Sequence, residues 1–198
     1  MSKVIRDFIV GNPYWNPFVT PVDLAEASEE QRDALKITPS GGKVSEYVLV
    51  LAHDPQILNE RSPLFNAVMY GTDGLSRAER ELAALGASIA NHCVFCVALH
   101  SARYIAASKQ EDVIEEVFAT RSGDALEARP GAIFNFAAEL TPHPPTPTVK
   151  TARTLREAGL SDLEIFDLVL CAAMFGWANR LMGTLGEPLE SKPAGPSI

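Results

Sequence analysis

LSRAERELAALGASIANHCVFCVALHSARY, residues 75–104, decides how the chain folds and where its chemistry lies. Its first half carries Ala78, Leu82, Leu85 and Ile89 at helical spacing, and Ser76 with Glu79 forms a capping box, which marks a helix start. Asn91-His92 reads as a short break. A second helix from residue 93 then folds back on the first. At about 100° per residue, Cys93, Cys96, His100 and Tyr104 share one stripe about 80° wide. Val94, Phe95, Ala98, Leu99 and Ile105 cover the opposite face, so this helix belongs in the middle of a bundle and its thiols in a sheltered pocket. Glu81 sits at the shoulder of the preceding stripe. From there it can reach toward His100 or a thiol, in a semi-buried slot of the kind that raises a carboxyl pKa and suits proton transfer.

Working outward, Ser28 with Gln31, Ser108 with Glu111 and Ser161 with Glu164 read as further capping boxes. Helices are expected near 28–36, 43–53, 55–70, 76–91, 93–107, 109–119, 125–140, 147–158 and 162–184. No run alternates long enough to demand a strand, so the fold class is all-α. An irregular arm (1–27), rich in Pro and aromatic residues, wraps the body or a neighbouring subunit. One helical domain (28–186) follows, and a flexible tail (187–198) ends the chain. TPHPPTP (141–147) is a stiff connector. Gly74-Leu75-Ser76-x-x-Glu79 recurs as Gly159-Leu160-Ser161-x-x-Glu164. This echo is either a duplicated helical unit or two good helix starts.

The chain has 198 residues, 46% hydrophobic and 21% charged, with a net charge of -8. That composition is globular, and the charge argues against a nucleic-acid partner. The apolar run Phe8–Val10 is too short for a signal peptide. No charge-free stretch of about 18 apolar residues exists, and Leu168–Ala178 reads as a buried helix. A cytoplasmic protein with no membrane contact is expected. Three cysteines do not make a disulfide framework, and a close pair in such a chain points to redox chemistry or metal.

Redox thiols are the stronger reading. A structural zinc site takes four ligands, which one continuous helix supplies awkwardly, so no metal is expected. Two devices favour a thiolate: the helix N-terminus acts most on Cys93, and His100 can take the proton of Cys96. They nominate different nucleophiles. His92 either punctuates the turn or joins the site. Cys171 reads as an inert core thiol, Tyr104 as packing, and His53 and His143 as solvent-facing. Asn179 and Arg180 read as a helix-end cap and ion pair ahead of pocket residues.

Glu81-x11-Cys93-x2-Cys96-x3-His100 resembles the signature of the AhpD-like alkylhydroperoxidases in the carboxymuconolactone decarboxylase superfamily. Residues 75–104 are similar to the core of its peroxidase-related branch. AIFNFAAEL and LREAGLSDLEIFDLVLCAAMFGWANRLMGTLG are similar to that branch's second half, so the likeness runs over roughly residues 50–186. It implies an AhpD-like helical bundle, trimeric or hexameric assembly, no metal or flavin cofactor, and reduction of hydroperoxides. Glu81 and His100 would form a proton relay. Cys96 would attack the peroxide and become a sulfenic acid, and Cys93 would condense with it. An external dithiol, or a lipoyl group on a carrier protein, would restore the pair. The best-described members carry a histidine inside the CxxC where this chain has Phe95. Either the relay is shorter here or His92 substitutes. Ring-opening decarboxylases of the superfamily lack the CxxC, which disfavours the lactone reaction. The alternative to an enzyme is a non-catalytic redox-sensing or scaffold oligomer. Subunit association is also expected from the apolar surface of the 93–107 and 162–184 helices.

Overall fold

The computed structural model describes residues 2–38 and 43–193. In chain order the elements are β1 (Tyr14–Pro17), α1 (Glu29–Ala34), α2 (Glu46–Leu51), α3 (Pro55–Tyr70), α4 (Arg77–Ala90), α5 (Val94–Ser108), α6 (Glu111–Thr120), α7 (Ala128–Leu140), α8 (Val149–Glu157), α9 (Asp162–Leu185) and β2 (Gly186–Leu189). The fold is all-α apart from the small antiparallel pair β1–β2.

The helix starts show why these segments fold locally. Ser28, Ser76 and Ser161 each accept from the backbone N–H three residues on, and Gln31, Glu79 and Glu164 close the box in return. The Ser108 box does not form: α6 begins at Glu111 with Gln110 as its N-cap, and Ser108 stays in the last turn of α5, bonding back to Tyr104 O. The two Gly-Leu-Ser-x-x-Glu segments adopt one geometry, with Gly74 at φ +73° and Gly159 at φ +83°. Arg129 of α7 ties them together. Its Nε donates to Glu79 (2.6 Å), its Nη2 to Glu164 (2.5 Å) and its Nη1 to the Gly159 carbonyl.

α4 is the hub, and it packs against α5, α7 and α9. It is buried from Arg80 to Ile89. Gly86 lets α7 approach closely, since a Cβ there would stand 2.7 Å from the Phe134 carbonyl oxygen. Arg80 is buried but satisfied: it donates to the carbonyls of Leu75, Val68 and Asp73, and pairs with Asp167 at 2.7 Å. α9 is longer than its apolar centre at 168–178. Its 24 residues, with an 18-residue window of mean hydropathy 1.4, are long and apolar enough to cross a membrane. Here one side is buried, through Leu168, Cys171, Ala172, Phe175 and Ala178.

Two apolar cores result. The larger lies among α3, α4, α7 and α9. The smaller gathers Trp15, Val22, Tyr47, Val48 and Leu58 around Cys93, Cys96 and Met182. The N-terminal arm builds this second core and is not wholly irregular, because β1 pairs with β2 and Trp15 Nε1 donates to the Met182 carbonyl. The expected tail likewise starts as a strand, held by backbone bonds to the arm, up to Leu189. Its last residues, 194–198, lie outside the described residues, as does residue 1 of the arm.

Candidate functional site

The break between α4 and α5 positions the sulfurs. Asn91 caps α4, His92 turns with φ +54°, and Cys93 becomes the N-cap of α5 with its N–H bonded to the Ser88 carbonyl. Cys96 follows one turn on. The two sulfurs lie 2.6 Å apart and both residues are buried. No backbone movement is needed to bring them together.

Geometry alone lets either thiol be the donor, and burial decides between them. Burial pushes the Cys96 thiol well above the usual thiol value, and the neighbouring Cys93 adds to the effect. A hydrogen bond from Cys96 holds Cys93 below that value and outweighs its own burial. Cys93 is therefore the thiol that ionises first, with Cys96 S–H donating to it. The Asn179 amide lowers both.

His100 faces the same end of α5. Its Nδ1 lies 2.5 Å from Glu81 Oε2, and its ring stands edge-on to Phe175 with centroids 4.3 Å apart. No hydrogen bond joins His100 to either sulfur, so the direct Cys96–His100 contact expected from their spacing is not made. The Glu81 bond and Phe175 hold the ring aside. With Glu81 ionised, Nδ1 carries the proton and Nε2 is left to take another.

Glu81 is more deeply placed than a shoulder position suggests, with no exposure at all. Its expected raised pKa is not found. Burial pushes it up, but His100, Arg77 and Arg103 together outweigh burial and hold the carboxyl below the usual range. Arg77 pairs with Oε1 from one turn back, its guanidinium lying 4.0 Å from the centroid of the Tyr70 ring. Glu81 thus stands as a buried carboxylate hydrogen-bonded to His100.

His92 is exposed, with its ring stacked on Phe8 at 6.2 Å. Asn179 is not a helix cap. It is buried in the middle of α9, donates to Ser88 Oγ and accepts from Asn91. The sequence signal was an amide inside an apolar helix, which must find partners. Arg180 is exposed and bonds the Gly176 carbonyl. Cys171 is fully buried, its thiol pushed up to about 12 by burial. Among the described residues no three imidazole, thiol or carboxylate groups converge as a metal site.

A cavity of about 540 Å³ opens over Cys96 and His100. Tyr14 and Trp15 of the arm, Tyr47 of α2, Arg61 and Phe65 of α3, and Phe95, Leu99 and Phe175 also line it. Cys93 does not.

The carboxymuconolactone decarboxylase family model matches residues 55–139, the segment that carries Glu81, both site cysteines and His100. An uncharacterized peroxidase-related protein from Silicibacter sp. TM1040 shares the fold with a TM-score of 0.70 at 26% identity, over 85% of this chain and 91% of that one. A second uncharacterized peroxidase-related protein, an alkylhydroperoxidase AhpD core from Ralstonia eutropha JMP134, superposes with a TM-score of 0.72 at 25% identity, over 93% and 94%. Residues 55–139 thus match the carboxymuconolactone decarboxylase family, and the chain has the AhpD-like helical fold. The debrominase Bmp8 shares its fold as well, with a TM-score of 0.70 at 16% identity over 85% of this chain and 90% of that one. No curated protein matches the sequence. The AhpD-like fold in this chain places the Cys96 thiol and the His100 imidazole on one cavity, with Cys93 against the first and Glu81 bonded to the second.

Proposed function

We propose that the chain is a thiol-dependent peroxidase that reduces hydroperoxides. The observation that carries this reading is the pair of sulfurs 2.6 Å apart, one of them lining a cavity beside a carboxylate-bound histidine. Cys96 is the attacking sulfur, because it and not Cys93 faces the cavity. Its proton passes to His100 Nε2 through the bound peroxide or water, with Nδ1 anchored on Glu81. The Cys96 thiolate takes the terminal peroxide oxygen, the O–O bond breaks, and the alkoxide leaves as alcohol with that proton. Cys93, already favoured as a thiolate, attacks the Cys96 sulfenic acid, which releases water and leaves a disulfide. An external dithiol then exchanges with the disulfide, giving up two electrons and two protons. A cytoplasmic setting, where thiols are kept reduced, fits this cycle.

Reduced protein titrated with an organic hydroperoxide should lose two thiols per equivalent and gain a Cys93–Cys96 bond by peptide mass mapping. Excess dithiol should then sustain many turnovers. Disulfide formation without repeated turnover would instead support the redox-sensing or scaffold reading.

AhpD-like proteins are commonly oligomeric, and this chain exposes Leu163, Phe166 and Trp177 on α9. We propose a homo-oligomer built on that helix. Light scattering should give a mass of several chains, whereas a monomer at micromolar concentration would reject it.

A further inference from the structure

The cavity over Cys96 holds more polar capacity than the thiol chemistry uses. Arg61, only 8% exposed, has no hydrogen-bond partner for its Nε or Nη1 among the described residues. The buried hydroxyls of Tyr14 and Tyr47 have none either. All three residues line this cavity, while Ser62, the other residue with such an atom, does not. Buried donors are normally satisfied, so three uncommitted residues around one space call for a missing acceptor.

Arg61 differs from the arginines that hold the fold together. Arg80 and Arg129 are each fully engaged with carboxylates and carbonyls. Arg61 instead has aromatic faces around it, the Phe65 centroid at 4.3 Å and the Tyr47 centroid at 5.9 Å. These neighbours fix the planar fork and leave its donors free. Burial lowers its pKa from the usual guanidinium value, and the groups that act against burial are Tyr47 and Tyr70, with no carboxylate among them. Burial also raises the Tyr47 pKa, so the phenol stays protonated and can donate. The cavity's other formal charges are Lys43, Arg103 and Glu46, and Glu46 lies 3.4 Å from Lys192. The balance favours an anion. The remaining wall is apolar: Phe65, Phe95, Leu99, Phe175 and Met182.

We propose that Arg61, with the hydroxyls of Tyr47 and Tyr14, binds the carboxylate of the substrate, so that the enzyme takes organic hydroperoxides bearing a carboxylate on an apolar body. A guanidinium fork matches a carboxylate with two parallel hydrogen bonds. Assigning the carboxylate to the peroxide rests on the peroxidase reading; the anion site does not.

The test separates the two. Full-length protein is titrated calorimetrically with 4-phenylbutanoate and with the neutral 4-phenylbutanamide. The carboxylate should bind about 10-fold tighter or more. Arg61→Met should erase that preference, Tyr47→Phe should reduce it, and Arg61→Lys should restore part of it, with folding checked by circular dichroism. In turnover, kcat/KM for a hydroperoxy fatty acid should exceed that for its methyl ester by a similar factor, mainly through KM, and this ratio should collapse in Arg61→Met. Equal binding of acid and amide, or a preference that survives in both Arg61→Met and Tyr47→Phe, would overturn the site. Selective binding without turnover keeps the site and removes the peroxidase reading. A carboxylate preference confined to the reductant, lipoate over lipoamide, would overturn the assignment to the peroxide.

Discussion

Cys96→Ser is expected to reduce dithiol-driven peroxide turnover by about 1,000-fold or more, while Cys93→Ser keeps the first oxidation and loses the cycle. The two variants differ because the two sulfurs occupy different places. Cys96 lines the cavity with His100, and Cys93 lies behind it at the N-cap of α5. A serine at 96 has no accessible anion at neutral pH, so the attack on oxygen stops. A serine at 93 leaves that attack possible but gives the sulfenic acid no partner. Dimedone should then label Cys96 in Cys93→Ser after one equivalent of peroxide, whereas wild type closes its disulfide and resists labelling. The pH dependence follows from the same pair. The Cys93 pKa is lowered by the bond from Cys96, so thiolate is present below the ordinary thiol value of 9.0 and is lost as pH falls through the depressed value. Thiolate absorbance of the reduced protein should therefore rise with pH earlier than for a free thiol. Undiminished turnover in Cys96→Ser would transfer the attack to Cys93 and refute the order of steps proposed above.

What could be read from the sequence was local. Ser76 with Glu79 and Ser161 with Glu164 fix helix starts because the capping partners are three residues apart, and the stripe Ala78–Leu82–Leu85–Ile89 orients α4 before any tertiary contact is known. The juxtaposition of Glu81 and His100 also follows from two helices and one short break. What could not be read was set by distant neighbours. The Glu81 pKa depends on a competition between burial and three partners, Arg77 on its own helix and His100 and Arg103 on the other, and helical periodicity supplies only the burial side. The β1–β2 pair joins residues about 170 positions apart, with Pro17 and Pro188 in it, and lacks the alternation that announces a strand. Asn179 lies too far from the Asn91–His92 break for spacing to connect them. Arg61 carried a weak signal: it sits three residues after Leu58 and four before Phe65, on the buried stripe of α3, where a lone cation needs a reason.

Glu81→Ala is expected to destabilise the fold by about 3–5 kcal/mol, the range for removing one partner of a buried ion pair. The carboxylate has no exposure, and both of its oxygens are committed, one to Arg77 and one to His100. Alanine leaves Arg77 without its carboxylate, His100 Nδ1 without an acceptor, and a void at the crossing of α4 and α5. Glu81→Gln keeps the shape and one acceptor and should cost less. The charge contribution can be separated by pH. The folded pKa of Glu81 lies below the ordinary 4.5, so its ionised form stabilises the fold above that value and the advantage is lost as pH falls through the depressed one. The stability gap between wild type and Glu81→Gln should therefore be full at pH 7 and shrink below about pH 5. Glu79 and Glu164 are also held below the usual range, but they are present in both proteins and cancel in the difference. Denaturant midpoints at pH 7 and in the acid range measure it. A gap that stays constant across that range would mean Glu81 carries no charge in the native state, and His100 would then lack the fixed anion that sets which of its nitrogens faces the substrate.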